Sequence, residues 1–401
     1  MAKEMKRILI FSHALEIGGA ERALLGLLNS IDTTKYHVDL FLMRHEGELF
    51  QYIPQGVNLL PELPEYASLA VPFTTVIKKK QLKIAVARAY GKYKAEYYVR
   101  KHQLGRDNGV GLEYSHKYTK KFMPNIGDGE YDLAISFLTP HYFVAEKASA
   151  KCKIAWIHTD YSYIDLDINS EKKMWGNYDY ITSISTDVTK SFLSKFPEFS
   201  EKIIGIENIV SPKFIQQQAE EFETKTEMSG DSSIKLLSIG RFCEAKNFDN
   251  VPDICKRLLD IGMNVHWYLI GFGPDEGLIR DKIKEAGMKD RVIVLGKKSN
   301  PYPYITACDV YVQPSRYEGK AVTVREAQIL GKPVIITNYA TAHSQLKNGY
   351  DGMIVPMDNE ECADVMAKLL KNSTLLKELS ENAKQTDYSN SQEVEKIYRF
   401  I

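Results

Sequence analysis

Residues 314–326, PSRYEGKAVTVRE, carry two carboxylates that could hold one ligand at two points. Glu318 lies in a predicted loop, and Gly319 beside it permits a close approach of the backbone to a ligand. Glu326 lies a turn or more into a helix that is predicted to begin near Ala321, where free backbone amides suit a phosphate. Carboxylates also bind vicinal hydroxyls well. Spacing alone does not distinguish such a site from two surface carboxylates.

A pair of cations follows another predicted strand, in residues 240–247, GRFCEAKN. Arg241 and Lys246 stand at the expected carboxyl edge of a parallel sheet, where open α/β folds bind their ligands. A planar guanidinium and a compact ammonium together suit a diphosphate. On spacing alone, two solvated surface cations remain the simpler explanation.

Near the start of the chain, Gly18 and Gly19 follow a predicted strand and open a predicted helix. Glycines at this place let the backbone approach a ligand, and the N-terminus of a helix favours an anion. A turn that is needed only for the fold explains the pair equally well.

The elements that must position these residues follow from short apolar runs that alternate with helical patterns. This alternation predicts an α/β fold with parallel sheets and helices on both faces. The ten predicted strands are Ile8–Phe11, Val38–Met43, Leu133–Phe137, Ile154–His158, Tyr180–Ser185, Leu236–Gly240, Val265–Ile270, Val292–Leu295, Val310–Gln313 and Pro333–Thr337.

A polar stretch from Asn208 to Ser233 predicts a domain junction. We therefore expect two doubly wound, Rossmann-like domains that face each other across a cleft. They would comprise residues 1–207 and 208–388. An amphipathic helix over 389–401 is predicted to pack back on the first domain.

The composition is that of an ordinary globular protein, with 52 basic and 52 acidic residues among 401. The five cysteines show no metal or redox spacing, which favours reduced thiols in the cytoplasm. No apolar run approaches the ~18 residues of a membrane span. The neutral total is unevenly distributed, because residues 71–127 contain thirteen lysines and arginines but three acidic residues, a net charge of +10.

Together and in this order, the motifs resemble the family 4 glycosyltransferases, which have the GT-B fold. The resemblance covers nearly the whole chain, and it includes AWIH at 155–158, IGFGP at 270–274 and LG at 295–296. It implies a retaining, metal-independent transferase that needs no cofactor. Such an enzyme would move a hexosyl residue from a nucleotide sugar to a glycan acceptor, and the expected donor is a UDP-sugar. In bacterial capsule and exopolysaccharide synthesis that acceptor is often lipid-linked.

The resemblance also implies a role for each site residue. Arg241 and Lys246 would bind the diphosphate and stabilise the charge that develops as the nucleotide leaves. Glu318 would contact hydroxyls of the transferred sugar, Glu326 the ribose, and His158 the donor sugar. The remaining donor-binding residues would be Gly18, Gly19, Gly271, Gly273, Lys297, Gly319, Lys320, Ala321, Val322 and Thr323. Lys320 departs from the family pattern, in which an aromatic or aliphatic residue is commoner, and this leaves the choice of sugar open.

Residues 77–102 predict a helix in which Leu82, Val86, Ala89, Tyr93 and Tyr97 share one face. A basic helix of this kind is typical of proteins on anionic lipid surfaces, so we expect peripheral attachment to the inner face of the cell membrane. A core-packed helix with a solvated basic rim is the alternative, and no motif supports binding of nucleic acid. The lysines of this predicted membrane patch are Lys78, Lys79, Lys80, Lys83, Lys94 and Lys101.

Two other functions stay open at this point. A nucleotide-sugar epimerase on the same fold would need no acceptor, and a non-catalytic partner subunit would have lost activity. The intact set of Arg241, Lys246, Glu318 and Glu326 argues against the second. Asp165-Leu166-Asp167 spells the Asp-x-Asp of metal-dependent transferases, but it lies far from the donor motifs, so we predict no metal site.

Overall fold

The computed structural model describes residues 5–105, 108–159, 161–224, 226–228, 232–318 and 321–401. The chain divides into two compact domains. The first comprises Met1–Ile209 together with Asn390–Ile401, and the second comprises Val210–Ser389. No helix of the described residues combines the length and the apolar character that a membrane span requires.

The first domain is built on a parallel sheet of seven strands in the order β3-β2-β1-β4-β5-β6-β7. Its central strand is buried from Ile8 to Ser12, as expected for a parallel strand covered on both faces. The strands are β1 Lys6–Ser12, β2 Tyr36–Leu42, β3 Asn58–Leu59, β4 Tyr131–Ser136, β5 Ala150–Ile157, β6 Tyr180–Ser183 and β7 Ile203–Gly205.

Helices cover this sheet and extend beyond it. They are α1 Gly19–Ser30, α2 Pro64–Ala67, α3 Phe73–Lys78, α4 Leu82–His102, α5 Val110–Thr119, α6 Tyr142–Lys147, α7 Ile168–Trp175 and α8 Thr186–Lys195. Gly91 brings α4 close to α5, because a Cβ at this position would lie 2.9 Å from the carbonyl oxygen of Tyr114.

The prediction of one helix over 77–102 was wrong. The chain forms α3 and α4 with a turn between them, in which Lys80 adopts a left-handed conformation with φ of 58°. Lys80 therefore lies outside the helix that carries Lys83, Lys94 and Lys101. Neither Gly nor Pro marks this turn, so the sequence pattern did not reveal it.

The end of the chain returns to the first domain. A 3₁₀ turn, Ser391–Val394, leads into a short helix, Glu395–Tyr398, so the helical part is shorter than the predicted 389–401. The ring of Tyr398 stacks on Tyr36 at 4.3 Å, and its hydroxyl accepts a hydrogen bond from the Asp32 amide at 2.9 Å.

The second domain has a parallel sheet of six strands in the order β10-β9-β8-β11-β12-β13. The strands are β8 Ile234–Ile239, β9 Val265–Ile270, β10 Val292–Gly296, β11 Val310–Gln313, β12 Val334–Thr337 and β13 Met353–Val355. The helices are α9 Pro212–Ala219, α10 Val251–Asp260, α11 Glu276–Glu285, α12 Tyr302–Ala307, α13 Val322–Ile329, α14 Ala342–Gln345, α15 Asn359–Lys371 and α16 Ser373–Gln385. Two parallel sheets with Rossmann-type strand order confirm the predicted α/β fold.

Candidate active site

The carboxyl edge of the second sheet joins a cation and a carboxylate from two separate motifs. Lys246 ends a short 3₁₀ turn after β8, and Glu318 follows β11, the strand that pairs with β8. Lys246 Nζ donates to Glu318 Oε1 at 2.5 Å. The two side chains are 19% and 10% exposed, so the pair is mostly shielded from solvent. The fold thus brings together residues that are 72 positions apart.

Glu318 is fixed by neutral donors as well as by lysine. Ser315 Oγ donates to Glu318 Oε1 at 2.6 Å and Gln313 Nε2 donates to the same atom at 3.3 Å. No hydrogen bond from the described residues reaches Glu318 Oε2. One oxygen of the carboxylate therefore orients the group, and the other can accept a hydroxyl of a ligand.

Arg316 fastens the turn that carries Lys246 to the loop that carries Glu318. Its guanidinium donates to both carboxylate oxygens of Asp249, at 3.0 and 2.7 Å, and to the Glu244 carbonyl at 2.7 Å. Its backbone amide donates to the Ala245 carbonyl at 2.8 Å. Sequence reasoning assigned Arg316 no role, although it is part of the motif, because its partner Asp249 lies 67 positions away.

Arg241 is exposed on the loop after β8 and makes no hydrogen bond or ion pair with any described residue. The neighbouring Gly240 lies against the Lys246 side chain, since a Cβ there would come within 3.1 Å of it. Arg241 and Lys246 are therefore close along this loop. Lys246 is paired with the Glu318 carboxylate, whereas the Arg241 guanidinium can bind an anion.

Glu326 lies inside α13 and is 2% exposed. Its Oε1 accepts the hydroxyl of Tyr302 at 2.8 Å, a partner that the sequence motif did not reveal. Thr323, on the first turn of the same helix, donates to Gln313 Oε1 at 3.3 Å, and Gln313 in turn contacts Glu318. Helix α13 therefore carries both Glu326 and the threonine that contacts Gln313, the partner of Glu318.

The start of α13 differs from the prediction in one respect. The helix begins at Val322, as expected, but the Ala321 amide donates to Gln345 Oε1 at 3.1 Å. It is therefore not a free amide that faces a phosphate. The predicted contacts of Gly319 and Lys320 lie outside the described residues.

Gly271 and Gly273 have a packing role in the second domain. A Cβ on Gly271 would lie 1.9 Å from the Gly240 carbonyl oxygen, and one on Gly273 would lie 2.2 Å from that of Phe242. These glycines therefore allow the loop after β9 to lie against the loop that carries Arg241. Lys297 Nζ lies over the exposed ring of Phe272 at 5.1 Å from its centroid.

Gly18, Gly19 and His158 belong to the first domain. Gly18 caps α1, and a Cβ there would meet the flexible carboxylate of Glu21. A Cβ on Gly19 would meet no atom within 4 Å. Packing within the described chain therefore does not require Gly19, in contrast to Gly271.

Four histidines of the first domain lie near its sheet: His116 and His141 are buried, and His13 and His158 are half-buried. Burial lowers the pKa of each below the ordinary value, to about 4 for His13 and about 3 for His158. His158 packs on Phe137, with ring centroids 4.4 Å apart, and its Nε2 has no hydrogen-bond partner among the described residues. These histidines are therefore neutral at physiological pH.

Asp167 of the Asp-x-Asp sequence has a structural role. It caps α7 by accepting the Ser170 amide at 3.2 Å, and it accepts the Tyr114 hydroxyl at 2.7 Å. Across the described part of the chain, no three His, Cys, Asp or Glu side chains are grouped so that they could hold a metal ion.

Glu171, one helical turn further, is a buried acid of the first domain at 2% exposure. Its Oε2 accepts hydrogen bonds from Trp175 Nε1 at 2.9 Å and from the Tyr161 hydroxyl at 3.3 Å. Burial, together with the nearby charge of Glu113, raises the pKa of Glu171 to about 8.

Comparison with known proteins relates this geometry to a family. Residues 219–386, most of the second domain, match the family model described as glycosyl transferases group 1. The matched region contains Arg241, Lys246, Glu318 and Glu326.

Curated relatives extend the likeness at low identity. The chain is 23% identical over 189 residues to the alpha-D-kanosaminyltransferase of Streptomyces kanamyceticus, covering 46% of this chain and 49% of that protein. It is 26% identical over 152 residues to the lipopolysaccharide core biosynthesis glycosyltransferase LpsE of Rhizobium meliloti, covering 38% and 44%. The alignments thus span about half the length of these relatives.

Solved structures match both domains of the chain. HepE of Anabaena, crystallised with UDP and glucose, superimposes with a TM-score of 0.67 at 15% identity, covering 99% of each chain. At this identity the likeness establishes the fold. The predicted GT-B fold is confirmed.

Proposed function

We propose that the chain is a retaining hexosyltransferase that uses a UDP-sugar donor and a glycan acceptor in the synthesis of cell-surface polysaccharide. The match of residues 219–386 to the group 1 glycosyl transferases supports transfer of a glycosyl group. HepE was crystallised with UDP and glucose, and LpsE acts in lipopolysaccharide core biosynthesis, which supports the donor and the class of acceptor. The proposal includes no cofactor and no divalent metal.

The observation that carries this proposal is the group formed by Lys246, Glu318 and Arg241. A nucleotide sugar presents a diphosphate next to a hydroxyl-rich ring. Arg241 and Lys246 supply the positive charge for the diphosphate, while Glu318 Oε2 supplies an acceptor for a sugar hydroxyl. Both kinds of partner are present at one edge of the sheet.

The proposed reaction breaks the bond between the anomeric carbon and the diphosphate oxygen. The electron pair stays on the diphosphate, so negative charge grows there while positive charge grows on the sugar ring. Fixed cations at the site stabilise this charge separation, and the loss of one such partner typically costs ~3 kcal/mol in the barrier. The acceptor oxygen forms the new bond, and its proton passes to the released diphosphate.

Replacement of the cation and of the buried carboxylate tests the donor site. We expect Lys246→Ala and Glu326→Ala each to lower transfer from UDP-sugars by roughly 100-fold or more. Lys377→Ala, which removes an exposed lysine of α16, is the matched control and should be fully active. Near-normal transfer in both site variants would refute the assignment. Release of UDP with no glycosylated product, for every acceptor tried, would refute the transferase.

We also propose that α3 and α4 place the enzyme on an anionic membrane surface, at the inner face of the cell membrane. The predicted apolar face of α4 is exposed: Leu82, Val86 and Tyr93 are 61%, 70% and 63% accessible. Its other face packs against α5 through Ala95 and Gly91. The core-packed alternative therefore does not account for the apolar residues on the outer face.

The positive charge around these exposed apolar residues favours an anionic lipid surface as their binding partner. Lys78, Lys79 and Lys80 are exposed in and beside the turn between the two helices, and Lys83 is exposed on the first turn of α4. Phe73 and Ile77 of α3 are exposed next to them. Apolar side chains flanked by lysines can insert between lipids while the ammonium groups bind anionic headgroups.

Cosedimentation with vesicles tests this surface. We expect binding to vesicles that contain phosphatidylglycerol and weak binding to phosphatidylcholine alone. Replacement of Lys78, Lys79, Lys80 and Lys83 by Glu should abolish this difference. Replacement of Lys371 and Lys377 of the second domain by Glu should preserve it. Unchanged binding of the first variant would refute the proposal, as would self-association through this face without any binding to vesicles.

A further inference from the structure

The loop between β12 and β13 holds the segment that carries Glu318 at two points. Thr341 Oγ1 donates to the Glu318 carbonyl at 2.8 Å. Gln345 Oε1 accepts the Ala321 amide at 3.1 Å. One stretch of chain, residues 338–345, therefore positions both ends of the segment between Glu318 and the start of α13.

The contact with Ala321 fixes which way the Gln345 carboxamide points. A backbone amide can only donate, so the side-chain oxygen must face it and Nε2 must face the other way. Gln345 is 4% exposed, and its Nε2 has no hydrogen-bond partner within the described ranges. A buried N–H group without a partner is costly, and native proteins rarely leave one unpaired.

Tyr339 of the same loop presents a second group of this kind. It is 1% exposed, and its hydroxyl also has no partner among the described residues. Burial raises the pKa of Tyr339, and the negative charge of Glu318 adds to this rise. Two donors that lack partners in the described part of the chain thus come from the loop that holds Glu318 and Ala321.

We infer that Gln345 and Tyr339 are further donor-binding residues, whose amide and hydroxyl groups bind oxygen atoms of the nucleotide sugar next to Glu318. This inference rests on the proposed function. Phosphate and sugar hydroxyl oxygens offer the same acceptor chemistry, and the N-terminus of α13 nearby favours the former. Ligand binding then satisfies groups that have no partner among the described residues.

Affinities for UDP and for UDP-glucose distinguish a contact with a phosphate from a contact with the sugar. Gln345→Glu keeps an oxygen for the Ala321 amide but replaces the donor with a charged acceptor. We expect its affinity for UDP-glucose to fall about 10- to 100-fold. An equal loss for UDP assigns the Gln345 contact to a phosphate, and a loss confined to UDP-glucose assigns it to the sugar. Tyr339→Phe should cause a smaller loss of the same kind.

Gln328→Leu is the matched control, because Gln328 is a fully buried glutamine of the same domain and its side chain also lacks partners in the described chain. It should bind both ligands like the wild type. Wild-type affinity in Gln345→Glu and Tyr339→Phe would overturn this inference while the proposed function stands. Failure of the wild type to bind any UDP-sugar would instead overturn the proposed function.

Discussion

The two domains have the same strand order at the centre of their sheets, but the ion pairs at their carboxyl edges differ in exposure. In the second domain the paired carboxylates Glu318 and Asp249 are 10% and 19% exposed, on Lys246 and Arg316. In the first domain Arg44 pairs with Glu16 and Glu46, which are 57% and 55% exposed, beside the neutral His13. The same topology thus carries shielded ion pairs in one case and exposed ion pairs with a neutral histidine in the other.

The difference shows that the loops, not the sheets, determine what each domain can bind. A diphosphate needs fixed cations, whereas uncharged hydroxyl groups need donors and acceptors without charge. Under the proposed function the diphosphate binds at the edge of the second domain, where Lys246 is fixed by Glu318. Four predictions test this comparison.

The largest effect on activity is expected from Arg316→Ala, at the carboxyl edge of the sheet of the second domain. Loss of the Asp249 pair frees the turn that carries Lys246, and a small displacement of a charged group can lower kcat/KM about 100-fold. Asp249→Asn should give a similar loss, and the double variant should be little worse than either single one. Additive losses, measured as kcat/KM, would show that the two residues act separately.

A rise in pH above the ordinary pKa of a carboxyl group should destabilise the first domain through Glu171. The pKa of Glu171 is raised to about 8, so the native state holds a proton that the unfolded state has released above its ordinary value of 4.5. The free energy of unfolding therefore falls as pH rises from about 4.5 to 8, by at most ~1.4 kcal/mol per pH unit. Glu171→Gln should remove this slope, as followed by hydrogen exchange in peptides of the first domain. An unchanged slope would contradict the assignment.

Acid pH should also destabilise the first domain, through its buried histidines. Their lowered pKa values mean that the unfolded state binds more protons below pH 6.5, so stability is lost as pH falls from there. His158→Phe should preserve the contact with Phe137 and remove one of these titrations. The acid slope should decrease by up to ~1.4 kcal/mol per pH unit. The free energy of unfolding can be measured with urea between about pH 4 and about pH 6. The same dependence on pH in His158→Phe and in the wild type would count against a neutral His158.

The smallest change in stability is expected from Gly19→Ala, because a Cβ there meets no atom within 4 Å. The free energy of unfolding, measured by thermal denaturation, should change by less than about 1 kcal/mol. Glycosyl transfer should fall if substrate approaches this backbone. Gly271→Ala is the contrasting variant and should lose at least ~1–3 kcal/mol through overpacking. Normal transfer by Gly19→Ala would leave the glycine pair as a turn of the fold.

The buried strands were predictable because their apolar runs are continuous. Three strands, Asn58–Leu59, Ile203–Gly205 and Met353–Val355, were missed because they are short and lie in the outer parts of the sheets, where burial is incomplete. The turn at Lys80 was missed because the residue lacks the usual signature of a left-handed conformation. Sequence patterns predict the helices, strands and turns whose formation depends on residues that are near one another in the chain.

The candidate site was predictable as a set of residue types but not as a set of partners. Lys246 and Glu318 were each placed after the right strand, yet their ion pair depends on which strands are neighbours. Gln345 escaped notice because its partner Ala321 lies 24 positions away and glutamine has no strong motif. The connections through Arg316 depend likewise on tertiary structure.

The outer face of α4 has a consequence for the protein in the test tube. Its exposed Leu82 and Val86 favour contact between copies of the chain, while the net charge of +10 in residues 71–127 keeps copies apart. Raising the salt concentration shortens the Debye length from ~10 Å at 0.1 M to ~3 Å at 1 M and weakens only the repulsion. The purified protein should therefore precipitate more readily in concentrated salt than in dilute buffer.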